Sequence, residues 1–91
     1  MAITIEAQKR EEAKNPRQLR REGFLPATIY GKGQESVSIQ VNKRVFINTY
    51  KNNKDAEFEL VVDKNKYTAV VQLLQIEAGT QEAMNIEFKL V

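Results

Sequence analysis

Neither cysteine nor histidine occurs in this chain. The first absence excludes a disulfide framework and thiolate metal sites, and the second removes the commonest general base and the imidazole ligand. A small fold of this kind must be held by packing, or by a partner. Long apolar runs are missing too. No eighteen apolar residues occur together, so no membrane-spanning helix is expected. The start, Met1 to Ala7, is interrupted by Thr4 and Glu6 and lacks the continuous apolar stretch of a signal peptide. Cytoplasm or an organelle matrix is the expected location.

What is present suits a folded, strongly solvated domain: 91 residues, 42% hydrophobic and 29% charged. One domain spanning residues 1–91 is expected. The net charge of +2 is modest, but it is unevenly spread. Residues 1–33 carry seven Lys or Arg against four Glu, and residues 34–54 carry four against one, so each stretch is +3; from Asp55 onward seven acids face three lysines, giving −4. Four of the five arginines precede residue 22. Guanidinium suits bidentate phosphate recognition, so the first third of the chain is the candidate polyanion-binding face.

Ile3, Ile5 and Ala7 alternate with polar residues as in a half-buried strand. The polar run Lys9 to Lys14 reads as a loop. Asn15 to Gly23 then carries helix punctuation: Asn15 as cap, Pro16 in the first position, Gln18 placed for a capping box, and Gly23 as a left-handed stop. Pro26 to Tyr30 reads as a strand closed by Gly31-Lys32-Gly33, and Val37, Ile39 and Val41 mark another. Asn42 caps a second short helix in which Val45, Phe46, Thr49 and Tyr50 share a face. Phe58, Leu60 and Val62 lead through an Asp63–Lys66 turn into a strand from Tyr67 to about Gln75, a β-hairpin. Met84, Ile86, Phe88 and Leu90 then alternate with Asn85, Glu87 and Lys89. No repeats or low-complexity segments occur. Six or so short strands with two or three short helices point to a mainly β fold closed into a barrel, because closure removes exposed edges.

On the first helix Arg17, Arg20 and Arg21 fall in a sector about 100° wide, with Leu19 pointing the opposite way. Three guanidinia on one face can straddle successive phosphates, and Arg10 and Lys14 extend that surface. The same residues could instead serve only the helix dipole and solvent. Tyr30, beside Lys32 at the end of its strand, either stacks on a sugar or base or packs at a barrel rim. Gly31-x-Gly33 lacks the remainder of a phosphate-binding loop. For catalysis only carboxylates and lysines remain, with Glu57 and Glu59 two residues apart on one strand face. Alternating Glu on such a face is ordinarily solubility, so no catalytic residue is expected. Asp63 to Asn65 offers too few oxygen ligands for a cation, and neither metal nor cofactor is expected.

The block Arg20-Arg21-Glu22-Gly23-Phe24-Leu25-Pro26-Ala27-Thr28-Ile29-Tyr30-Gly31 resembles the signature of the bacterial ribosomal protein L25 family, which includes the single-domain part of the Ctc general stress proteins. The likeness extends over nearly the whole chain, from the opening strand to Asn85-Ile86-Glu87-Phe88. It implies a closed six-stranded β-barrel similar to the anticodon-binding barrel of glutaminyl-tRNA synthetase, binding an internal-loop helix of 5S rRNA. Its RNA surface would fall on Arg10, Lys14, Arg17, Arg20, Tyr30, Gln75, Asn85 and Glu87, to which the charge pattern adds Arg21 and Lys32. Family members usually have His and Asp where this chain has Asn85 and Glu87. Neighbouring large-subunit ribosomal proteins are further possible partners, and a monomer is expected when the protein is free. The rival readings are a protein-interaction barrel with a basic loop, and a carboxylate enzyme.

Overall fold

The computed structural model describes residues 3–11 and 13–91. Met1 and Ala2, at the head of the segment judged against a signal peptide, and Glu12, within the run read as a loop, lie outside the described residues. The order of elements is β1 (Ile3–Lys9), α1 (Pro16–Arg21), β2 (Phe24–Gly31), β3 (Gln34–Asn42), α2 (Lys43–Asn52), β4 (Phe58–Val62), β5 (Asn65–Ile76) and β6 (Ala83–Leu90). The six strands form a closed barrel in the order β1-β3-β2-β6-β5-β4. β1 pairs in parallel with β4, and β2 with β6, while the remaining pairs are antiparallel.

Period-two alternation supplies the interior. Ile5, Leu25, Ala27, Ile29, Ile39, Val41, Phe58, Leu60, Val62, Ile86 and Phe88 are buried in one cluster. α2 packs across one end of the barrel and inserts Phe46, which is 0% exposed. Its ring stacks on Tyr50 with centroids 5.5 Å apart and meets Phe88 edge-on at 5.9 Å, the offset and T-shaped arrangements that aromatic quadrupoles favour. Both helices are N-capped by the asparagines their sequences suggest, while the return bond from the Gln18 side chain that would complete a capping box is not formed. Asn15 Oδ1 accepts from the Gln18 amide at 2.8 Å, and Asn42 Oδ1 from the Val45 amide at 3.0 Å. Gly23 has φ +94°, the left-handed stop expected there. Lys32 and Gly33, with φ of 51° and 73°, form the two-residue tip of the β2–β3 hairpin, and their positive φ values match the strand twist.

Four expectations are corrected. The turn after Val62 is only Asp63 and Lys64, because Asn65 and Lys66 already pair with Val62 and Val61 at the start of β5. Lys9 is not in the loop but ends β1, paired with Ile39. The buried face of α2 is Phe46, Ile47 and Tyr50, whereas Val45 is 51% exposed; seating Phe46 in the barrel fixes the helix's rotation and turns Val45 outward. Met84 does not join the inward row of β6. The β5–β6 register shifts between Gln75 and Ile76, so that Gln75 opposes Asn85 and Ile76 opposes Ala83, leaving Met84 as an extra residue. Such a bulge exchanges faces: Ala83 is buried and Met84 lines an outer groove. A second shift between Val71 and Leu73 leaves Gln72 unpaired and Leu73 48% exposed.

Candidate nucleic-acid interface

The chain leaving β1 folds back over the outer wall of β3 and β2. Its ties are polar. The Arg10 amide donates to the Ser38 carbonyl at 3.2 Å, and the Glu11 amide donates to Gln40 Oε1 at 3.1 Å. Gln40 Nε2 in turn donates to Gln8 Oε1 at 3.0 Å. Gln40 faces outward from β3 and yet is only 1% exposed, because this loop covers it; a buried amide with both its polar atoms paired is a clasp between loop and wall. α1 follows and packs beside β2, with Leu19 fully buried and Arg17 and Arg21 exposed. The helix is thus oriented as the sector argument required.

Between this arm and the barrel wall lies a groove of about 240 Å³, lined by Arg10, Pro16, Arg20, Pro26, Ala27, Thr28, Gln75, Met84 and Asn85. Four residues distant in sequence, Arg10, Arg20, Gln75 and Asn85, meet there. Gln75 and Asn85 are direct cross-strand partners. Arg20 Nη1 donates to the carbonyl of Met84 at 3.4 Å, so the β6 bulge gives α1 a second point of attachment. The Arg10 Nε donor and the Asn85 Oδ1 acceptor are buried without a hydrogen-bond partner. Such groups cost on the order of 1–3 kcal/mol each when unpaired, so a groove that holds one orphaned donor and one orphaned acceptor is built for a polar ligand.

The other candidates stand around this groove. Glu87 is half-buried on the outer wall and opposes Thr28 in the β2–β6 pair. Tyr30 lies two residues beyond Thr28 on the same face, opposite Lys89, while its neighbour Ile29 points into the core. Tyr30 is therefore outside the core, half-buried. Lys32, at the hairpin tip, is four residues and about 13 Å along β2 from Thr28. Lys14 is engaged: its ammonium contacts Glu11 at 3.2 Å and also Glu22. The hydrogen bond to Glu22, then that to Glu11, raises its pKa above 10.5. That pairing joins residues eight apart across a helix, and no local sequence signal marked it.

Lys43 and Arg44 belong to the positive excess of residues 34–54 and lie outside the site residues that the sequence pattern singles out. The structure puts them against the far end of α1, where Arg20, Arg21, Glu22, Gly23, Asn42, Lys43, Arg44, Ile47 and Asn48 line a second cleft. The Lys43 amide donates to the Gly23 carbonyl at 2.9 Å, fixing the two helices together. Their excess charge over residues 34–54 was the available signal. For the carboxylate reading, Glu59 on β4 has Thr4 and Thr68 as its cross-strand neighbours, so no second acid is brought opposite it. Among the described residues no group of three or more His, Cys, Asp or Glu converges as a metal site.

The fold and groove define a small barrel presenting arginines and amides on its outer wall, the class of surface that nucleic acid fits. Comparison with known proteins identifies the group. The model described as the Ribosomal L25p family matches residues 5–88. The chain is similar to "Large ribosomal subunit protein bL25" of Nostoc sp. (strain PCC 7120), 37% identical over 93 aligned positions that cover 97% of this chain and 94% of that protein. The protein of that name from Synechocystis sp. (strain PCC 6803) is likewise 37% identical, covering 97% and 95%. Against the one from Roseiflexus castenholzii, identity is 36% over 86% of this chain but only 37% of the relative. The chain belongs to the Ribosomal L25p family. It is a ribosomal protein, structural rather than enzymatic, and is ribosome-associated.

Proposed function

We propose that this chain is a structural protein of the large ribosomal subunit that binds 5S rRNA at an internal-loop helix, acting as one domain over residues 1–91. The observation that carries this reading is the pair of orphaned buried atoms, Arg10 Nε and Asn85 Oδ1, in one groove with Arg20 and Gln75. A phosphate supplies acceptors only. A base edge or ribose hydroxyl also supplies the donor that Asn85 Oδ1 lacks, so this groove suits nucleic acid better than free phosphate. The internal-loop preference follows from A-form geometry, in which non-Watson–Crick pairs open a groove that regular pairing keeps closed to side chains.

The contacts divide by chemistry. Arg10, Arg17, Arg20 and Arg21 hold phosphates and set the register, Lys14 joining them when it leaves its glutamates. Gln75, Asn85, Glu87 and Tyr30 read base edges and sugars from the wall, and Lys32 touches the outer margin. Glu87 is repelled by phosphates, so its place is opposite base amino groups or ribose hydroxyls. Neighbouring large-subunit proteins are secondary partners, and the free protein is a monomer.

Titration of the chain against 5S rRNA and a fully paired hairpin tests this. With three to four phosphates neutralised, the log–log salt slope on 5S rRNA is expected at about −3 to −4. Asn85→Ala and Glu87→Ala each weaken cognate binding by roughly 1–3 kcal/mol while leaving the paired control unchanged, whereas Arg17→Ala weakens both alike. A slope near zero, or a Glu87→Ala protein that discriminates as well as the parent, contradicts the corresponding part. A shallow slope with retained binding to ribosomal proteins would favour the protein-interaction barrel.

A further inference from the structure

We infer that the cleft between α1 and α2 holds the phosphodiester backbone of a second RNA segment, distinct from the one in the wall groove, so that the domain joins two RNA elements. This rests on the RNA reading above and extends it to another face. The cleft gathers Arg20 and Arg21 from α1 with Lys43 and Arg44 from α2. Among the described residues no carboxylate lies within ion-pair distance of any of the four, since the ion pairs present belong to Lys14, which also occupies the cleft's own acid, Glu22. Arg20 donates from Nη1 to the Met84 carbonyl and belongs to the wall groove; Arg21, Lys43 and Arg44, none with a carboxylate partner, stand around the cleft and repel one another. Lys43 and Arg44 also sit in the first turn of α2, which contains no acid, where positive charge opposes the helix dipole. A fold tolerates such a local conflict most readily where a ligand resolves it.

The basic strip continues. Lys43, Ile47 and Lys51 recur every four residues along α2, and Lys43 and Ile47 line both this cleft and an adjoining one, where Lys51 and Lys54 rim a mostly apolar floor of Tyr50, Leu74 and Ile76 with Glu82 as its one acid. The strip follows a helix of ten residues, about 15 Å long, which suits a backbone track better than a single phosphate. Its lining separates it from the wall groove: apart from Arg20 the two have no residue in common, the groove drawing on β2, β5 and β6 and the cleft on α1 and α2. The strip is also poor in orphaned buried acceptors or donors, so its binding is sequence-independent, governed by charge.

The test uses the intact protein and two RNAs: a 5S rRNA internal-loop hairpin, bound first and saturating, then an unrelated, fully paired RNA hairpin carrying a fluorescent label. The 1:1 complex is expected to capture the labelled hairpin with a steep salt dependence. Lys43→Gln/Arg44→Gln is expected to form the first complex unchanged, and to lose the second at least about ten-fold, its salt slope flatter by about 1.5. Failure of the parent complex to capture the hairpin, or equal capture by the variant, overturns the inference while the 5S reading stands. Weakening of the first complex by the variant also overturns it, because the cleft then serves the same RNA. Capture of a glutamate-rich peptide in place of the hairpin overturns it in favour of a protein partner. Should the 5S hairpin not bind at all, the 5S reading fails, and the labelled hairpin titrated onto free protein still decides: unchanged binding by the variant overturns the cleft.

Discussion

Inside the barrel, Phe46, Phe58 and Phe88 interlock at centroid distances of 5.9 to 6.4 Å, whereas the arm outside, residues 10–23, is held by Leu19, the Gln40 clasp and the Arg20 contact with Met84. The arm carries most of the arginine and little of the apolar anchor. The difference shows how such a protein divides labour. A rigid wall fixes where Gln75 and Asn85 stand, and a lightly anchored arm brings charge to them, able to adjust by rupturing few contacts.

The largest expected effect is on the barrel side. Phe46→Ala removes a ring that touches three others and leaves a cavity, a loss of about 3–5 kcal/mol. At roughly 4–8 °C per kcal/mol for a domain of this size, a calorimetric melting point falls by more than about 12 °C. A drop of only a few degrees would mean that α2 is as loosely held as the arm.

Leu19→Ala is next, at about 2–4 kcal/mol for the arm alone. The main melting transition is expected to stay nearly in place while amides of residues 13–22 lose exchange protection, and RNA affinity falls with them. If the whole barrel melts as early as in Phe46→Ala, the arm and barrel are one cooperative unit and the contrast is wrong.

Gln40→Leu tests the clasp. It strands Gln8 Oε1 and the Glu11 amide, at a cost of about 1–3 kcal/mol. Faster exchange of the Glu11 amide with an unchanged Ala27 amide would place that cost in the arm; equal acceleration of both would place it in the wall.

The smallest expected effect is electrostatic. Glu22→Gln removes the stronger of the two hydrogen bonds that raise the Lys14 pKa, leaving Lys14 cationic at neutral pH and held by Glu11 alone, so that it reaches phosphate more readily. The salt slope for RNA binding is expected to steepen by about 0.7–0.9, one additional phosphate. The pH sign agrees: a raised lysine pKa favours the paired form below 10.5, and the pairing is lost only as pH rises through the higher folded value. Between pH 6 and 9 the parent and variant should therefore differ by a constant amount. A difference that changes across that range would assign the effect to another group.

Much of this molecule was legible from local signals. The caps Asn15 and Asn42, the Gly23 stop, the Leu19 anchor opposite three arginines and the inward rows of β3 and β4 each depend on residues a few positions apart, where propensity and periodicity act directly. The family block around Arg20 to Gly31 added the count of six strands to a barrel whose closure the short strands already suggested. Legibility failed where local patterns allow two answers: Val45 or Ile47 as the partner of Phe46 on α2, and Met84 in or out of the barrel.

The sequence by itself determined most of the inward rows of the strands, where the helices begin and end, and that arginine is concentrated early in the chain. Only the tertiary structure decided which outward-facing residues become neighbours. A period of two says in or out but carries no strand order or register, so nothing local places Asn85 beside Gln75 or Arg10 near both. Burial of outward Gln40, capture of Lys14 by Glu11 and Glu22, and the meeting of Arg21 with Arg44 arise because a closed barrel brings distant segments onto one small surface, where a single bulge or folded-back loop changes which of them touch.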